Sequence, residues 1–336
     1  MSQPKKRRRL KVEDYVQGVL EKNRTILAQA ITLVESNLEE HMKMAQEVLQ
    51  RLQPHTGRSI RIGITGVPGA GKSTFIESFG LMLCEKGHRV AVLAIDPSST
   101  LTKGSILGDK TRMEKLSKHP HAYIRPSASA GTLGGVARKT RESMLVCEAA
   151  GFDVILVETV GVGQSEVAVR SMVDFFLLLT LTGAGDDLQG IKKGIMELAD
   201  AILINKADGD NEIKARATKA ELNRVLHYLH PATEGWKTKA YTCSALYGTG
   251  IEEIWEVIRK FQEVTTASGV FHRRRQQQTL DWIYTMIDEY LRARFFQHPT
   301  IQSVLPQIEK EVLSGRESAT QAFKRLVQLF EEQERG

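Results

Sequence analysis

The sequence has 336 residues, 41% hydrophobic and 26% charged, which is the composition of a soluble globular protein long enough to bury a full core and carry appendages. No apolar run approaches the ~20 residues of a membrane span, and the N-terminal charges are not followed by the apolar stretch of a signal peptide, so membrane-embedded and exported classes are set aside. The net charge of +6 owes much to Lys5–Arg9 and Lys11, which read as a disordered, solvated basic tail and not as a nucleic-acid arm. Cys84, Cys147 and Cys243 are scattered and odd in number, as buried thiols of a reducing cytoplasm are.

In chain order, residues 12–57 form an N-terminal helical arm. Val12, Tyr15, Val16, Val19 and Leu20 make one apolar stripe, and the spacing continues from Ile26 to Leu52 until Pro54 and Gly57 end it. Residues 58–268 alternate apolar strands with helices. Strands are expected at Ile60–Ile64, Val90–Ile95, Val154–Val157, Phe175–Leu181, Ala201–Ile204 and Tyr241–Cys243, with a weaker one at Ala122–Ile124. Continuous apolar strands between helices predict an α/β fold, a mainly parallel sheet covered on both faces. Ligands of such sheets bind beyond the C-terminal strand ends. Residues 269–336 carry helical stripes only. Arg273–Arg275 read as a solvated linker or helix start, Pro299 as a break, Pro306 as a first-turn proline, and Gly315 as a helix stop.

The strand at Ile60 runs into Gly66-Val67-Pro68-Gly69-Ala70-Gly71-Lys72-Ser73-Thr74, a complete G-x-x-x-x-G-K-[ST] between a strand and a helix. Its glycines let backbone N–H groups converge on phosphate oxygens, and the helix N-terminus behind them favours an anion. Lys72 is placed to reach the β and γ phosphates and Ser73 to ligate Mg²⁺. Glu158-Thr159-Val160-Gly161 occupies the strand-end position of the D-x-x-G loop, with a longer acid for Mg²⁺ and a glycine for the γ-phosphate. Asp96 and Asp109 are further candidates for the Mg²⁺ shell. Asn205-Lys206-Ala207-Asp208 is the N-K-x-D guanine reader. Asp208 can accept from guanine N1–H and the 2-amine, and such a site rejects the wrong base by ~10⁴ or more. Ser244-Ala245-Leu246 fits an accessory guanine loop. The position of the usual water-orienting glutamine holds Val162, with Gln164 two places on, so slow intrinsic hydrolysis is expected. The charged loop Gly183–Gly194, with Lys192, reads as a further switch.

With Ala94–Ser99, Leu107–Met113, Gly134–Glu142 and Val157–Glu166 in the same order, the chain closely resembles the MeaB/ArgK/MMAA family of GTPases associated with methylmalonyl-CoA mutase. The likeness spans all but residues 1–11. It implies a SIMIBI-type P-loop fold and a homodimer built through the C-terminal helices. It also implies a chaperone that gates cofactor loading and protects or reactivates an adenosylcobalamin-dependent mutase. By motif it carries Ser73, Asp96, Asp109 and Glu158 over as the Mg²⁺ set and Lys192 as a switch lysine for partner-dependent activation. No D-x-H-x-x-G occurs, so cobalamin is expected on the partner and not on this chain alone. The competing readings are a P-loop kinase acting on a transport binding protein, against which Asn205–Asp208 argues, and a metal-delivery GTPase. The latter usually needs Cys/His clusters, whereas His119 and His121 have no cysteine nearby.

Overall fold

The computed structural model describes residues 10–95, 113–126, 133–159, 165–182 and 193–334. Asp96, Asp109, Gly161, Gln164 and Lys192 lie outside the described residues, as do the basic run Lys5–Arg9 and most of the loop 183–194.

Three helices precede the sheet: α1 (Val12–Leu20), α2 (Arg24–Val34), which is capped by the Asn23 side chain, and α3 (Glu39–Leu52). Then come β1 (Ile60–Gly66), α4 (Lys72–Glu85), β2 (Val90–Ile95), α5 (Glu114–Lys118), β3 (Ala122–Arg125) and α6 (Leu133–Ala149). They are followed by β4 (Val154–Thr159), α7 (Ser165–Arg170), β5 (Phe175–Thr180), α8 (Lys193–Leu198), β6 (Ala201–Ile204), α9 (Glu212–Leu226), β7 (Lys239–Thr242) and α10 (Ile251–Ala267). All seven expected strands form. They make one parallel sheet in the order β3-β2-β4-β1-β5-β6-β7. Strands β2–β4 lie to one side of β1 and β5–β7 to the other, so β1 ends where the topology changes hand, the place where such sheets bind ligands.

Alternate side chains of the strands feed two cores. On one face Ile62, Ile64, Leu156, Leu177 and Leu203 pack under Phe75 and Phe79 of α4 and Trp255 and Phe261 of α10. On the other, Leu93, Ile155, Val157 and Phe176 meet Val146 and Cys147 of α6 and Val169 of α7. The same cluster continues into Val19, Leu27, Ile31, Val48 and Leu52, so the N-terminal helices are bonded to the sheet by shared apolar burial. A smaller cluster under α8 and α9 gathers Leu178, Ile202, Ile204, Met196 and Leu222. The three cysteines are buried. Burial pushes the Cys84 thiol up to about 11, so it stays an inert protonated thiol.

The chain divides into two compact units, residues 1–278 and 279–336. The helix α11 (Val270–Phe296) starts in the first and ends in the second, followed by α12 (Pro299–Leu313) and α13 (Ala319–Glu334). Two expectations need correction here. Arg274 and Arg275 do begin a helix, but they are not solvated: their side chains are 16% exposed and ion-paired to Asp200 and Asp174. Pro306 does not open a helix; Pro299 does, and Pro306 lies inside α12. In the second unit Ile301, Ile308 and Ala322 are buried. The Phe295 and Phe330 rings meet at 5.1 Å. Leu280, Ile283, Ile287, Tyr290 and Leu291 lie along α11 with 43–62% of their surface exposed.

Candidate functional site

The stretch from Gly66 to Thr74 leaves the end of β1 and turns into α4. Gly66 has φ +152°, and a Cβ there would meet the Leu179 carbonyl oxygen at 2.2 Å. Gly71 has φ +82°, and a Cβ there would meet the Asn205 amide nitrogen at 2.7 Å. Both positions therefore need glycine for two reasons, backbone conformation and close approach. Val67, Pro68, Gly69 and Ala70 form the turn between them, in which the Ala70 N–H donates to the Val67 carbonyl at 3.1 Å.

Lys72 and Ser73 open α4 and Thr74 follows. The Lys72 ammonium donates to the carbonyls of Gly66 (2.8 Å) and Val67 (3.3 Å). Burial pulls its pKa down from the ordinary lysine value, opposed by the charges of Glu158 and Glu166. Ser73 Oγ donates to Glu158 Oε1 at 3.2 Å. Strand pairing arranges that meeting, since Glu158 on β4 is in register with Ile64 on β1 and Ala94 on β2. A hydroxyl and a carboxylate at hydrogen-bond distance are hard oxygen donors that fit Mg²⁺, an ion that takes few protein ligands and fills its shell with waters and phosphate oxygens.

The second half of the site hangs on Asn205, buried at the end of β6. Its amide donates to the Ala70 carbonyl at 2.8 Å, and its Oδ1 accepts from the Ala245 N–H at 3.0 Å. One side chain thus ties the glycine-rich turn to the loop after β7. Asp208 accepts from Ser244 Oγ, and the Ala207 N–H donates to the Cys243 carbonyl at 2.9 Å. The two base-reading candidates are thereby brought side by side. Leu246 is 72% exposed beyond them. Lys206 holds φ +60°, one of two described non-glycine residues with positive φ, and the Asn211 side chain donates to its carbonyl at 2.6 Å.

The structure brings together Gly66–Thr74, Glu158, Asn205–Asp208 and Ser244–Leu246. Two contributors escaped the sequence reading. Ser78 Oγ donates to the Ala245 carbonyl at 2.6 Å and fixes the base loop on α4, with no motif to announce it. Glu166 of α7 is buried and bears on Lys72 electrostatically; its place in Gly161–Glu166 was the only available signal.

Comparison with known proteins agrees with this geometry. Residues 27–300 match the family model described as methylmalonyl Co-A mutase-associated GTPase MeaB. The GTPase ArgK of Escherichia coli is 50% identical over 273 residues, covering 81% of this chain and 82% of that protein. The mitochondrial methylmalonic aciduria type A homolog of Mus musculus is 47% identical over 323 residues, covering 93% of this chain and 78% of that protein. Among solved structures, one titled LAO/AO transport system kinase superposes with a TM-score of 0.76 at 38% identity, covering 95% of this chain and 97% of that one. The P-loop sheet and the breadth of these matches place the chain in the MeaB family of methylmalonyl-CoA mutase-associated GTPases.

Proposed function

We propose that this GTPase hydrolyses GTP with Mg²⁺ and acts as a chaperone of an adenosylcobalamin-dependent methylmalonyl-CoA mutase, gating cofactor loading and protecting or reactivating the enzyme. The observation that carries the nucleotide reading is Asn205, whose side chain joins Ala70 of the phosphate turn to Ala245 of the base loop. A phosphate site and a guanine site held by one amide are spaced for one nucleotide. The family name and the mouse relative support the partner.

In this reading the residues from Gly66 to Thr74, Pro68 excepted, and Gly161 donate N–H groups to phosphate oxygens, and Lys72 leaves its two carbonyls to balance the charge that develops during phosphoryl transfer. Ser73 and Glu158 hold Mg²⁺, with Asp96 and Asp109 completing the set. The ion, when bound, neutralises β and γ oxygens. Asp208 and Ser244 read guanine, with Lys206, Ala245 and Leu246 walling the base. Gln164 and Lys192 complete catalysis when the partner binds, so a slow unassisted rate is expected. The exposed stripe Leu280, Ile283, Ile287 and Leu291 supports a homodimer through the C-terminal helices. Cobalamin stays on the partner, and the protein works in the cytoplasm. Among the described residues no helix is long and apolar enough to cross a membrane.

Mixing the protein with a methylmalonyl-CoA mutase tests the partner. Co-elution and a faster GTP turnover are expected; the absence of both overturns the chaperone reading and leaves the GTPase reading standing. The name of the solved relative, a transport system kinase, keeps one rival in view. Tight ATP binding with weak GTP binding would favour that rival.

A further inference from the structure

A cavity of about 670 Å³ opens between α9 and the edge strand β7, within the range of small-molecule sites. Its apolar lining includes Met196, Leu226, Leu229 and Ala240, three of them buried. Its polar lining is cationic: Lys219, Lys237 and Lys239, with His227 and His230 beside them. Among the described residues no carboxylate lines it. Lys219 is half-buried, and its ammonium lies 5.8 Å from the centre of the Tyr241 ring. Among the described residues none of the three lysines is ion-paired, whereas Arg216, on the same helix but outside the cavity, pairs with Glu212 at 2.5 Å. Three lysines border an apolar pocket, two of them exposed at its rim, and their shared charge favours an anion over a neutral or cationic ligand there.

The occupant is not a further β-strand. Asn223 covers the open edge of β7, accepting from the Ala240 N–H at 2.9 Å and donating to its carbonyl at 3.4 Å, so the groups that strand addition needs are already used. Nor is the cavity part of the nucleotide site, since none of its lining residues belongs to the glycine-rich turn, the N-K-x-D loop or the Ser244 loop. We propose that this cavity binds a small organic anion with an apolar body, a carboxylate or a phosphate monoester on a short hydrocarbon, its charged head among Lys219, Lys237 and Lys239 and its tail over Leu226 and Leu229. The proposal does not rest on the assignment of GTP or of the mutase.

The test is calorimetric titration of the full chain with hexanoate, hexyl phosphate and the neutral control 1-hexanol. Saturating GDP and Mg²⁺ are present throughout, to block the glycine-rich turn. Saturable binding of at least one of the two anions is expected, and which of them binds tells carboxylate from phosphate. Loss of one charge-assisted contact in Lys219→Met should weaken that binding about tenfold or more, as should replacing the head group by a hydroxyl. Arg216→Met should leave it unchanged. If Lys219→Met does not fold, the exposed pair Lys237→Gln with Lys239→Gln gives the same reading. The proposal is overturned by no saturation with either anion at millimolar concentration, by hexanol binding as well as the anions, or by lysine variants that bind like the parent.

Discussion

The two ends of the parallel sheet are built from different materials. At the C-terminal strand ends the polar groups are lightly held: the Lys72 ammonium rests on two backbone carbonyls, and Ser73 reaches Glu158 at 3.2 Å. At the N-terminal ends one device recurs three times. Asp153, Asp174 and Asp200 each stand immediately before a strand, donate their N–H to a carbonyl in or just before a neighbouring strand, and accept that same residue's N–H on their carboxylate. The partners are Arg89, Arg61 and Phe176, at 2.7–2.9 Å on the carboxylate side. Each carboxylate extends the ladder by one rung and satisfies a backbone donor. Asp174 and Asp200 are then neutralised by arginines, Arg275 at 2.6 Å and Arg170 at 2.7 Å. The lesson is that buried charge is spent where nothing needs to move. The other end keeps groups that a ligand can take over without breaking a buried ion pair.

The sharpest way to break this contrast is at the fixed end. Asp200 is fully buried, and it also accepts from Thr233 and lies 3.8 Å from Arg274. Asp200→Ala leaves Arg170 in a buried site without its counter-charge and Arg274 with Asp174 alone, a loss of about 3–5 kcal/mol. Urea unfolding should show that loss, while nucleotide affinity of the folded fraction stays near parent. A drop in affinity without a drop in stability would place Asp200 in the nucleotide site and end the division of labour.

The complementary change is Lys72→Ala. If Lys72 stabilises developing phosphoryl charge as proposed, single-turnover GTP hydrolysis should fall about 10²–10³-fold, the usual cost of one such donor. The unfolding midpoint should barely move, because the ammonium's two bonds are to carbonyls of its own turn. Parent-like turnover would remove Lys72 from the chemistry.

The inner strands β2, β4, β5 and β6 were readable as nearly unbroken apolar runs, β3 and β7 only as short ones, and parallel pairing followed from the helices between them. The meeting of Gly66–Thr74, Glu158, Asn205–Asp208 and Ser244–Leu246 was readable because these motifs fall at strand ends, which the sheet gathers on one side. The fixed end was not. Asp153, Asp174 and Asp200 precede apolar strands in plain sight, but a carboxylate before a strand reads equally well as a turn residue. Its pairing is decided by strand order, which neighbouring sequence does not encode. For the same reason Arg274 and Arg275 looked like a solvated cluster: their partners lie 74 and 101 residues away. Lys206 carries no signal at all for its positive φ, which the turn closed by Asn211 imposes.

The contrast recurs in miniature on α6, where a buried glutamate, Glu148, and a largely buried one, Glu142, have different partners. Glu148 accepts from Arg61 at 2.9 Å and from the Gly57 N–H at 2.8 Å; burial would raise its pKa, but the Arg61 charge and these bonds hold it below the ordinary value. Among the described residues Glu142 is ion-paired to Arg138 alone, at 3.9 Å, and burial pushes its carboxyl from 4.5 to about 7, with the charges of Arg138 and Lys139 opposing. The folded chain therefore keeps a proton on Glu142 that the unfolded chain has already released. Between the two values the folded state binds more protons, so stability falls as pH rises through that window and the loss is complete above about 7. The shift sets a ceiling of about 3 kcal/mol. Glu142→Gln keeps the shape and is neutral at every pH. Its stability should exceed the parent's at pH 8 by up to that amount, and match it at pH 4, below both values, within about 0.5 kcal/mol. Urea midpoints of both proteins at the two pH values decide it: an advantage that is the same at both would mean that the amide packs better, and that Glu142 does not titrate there.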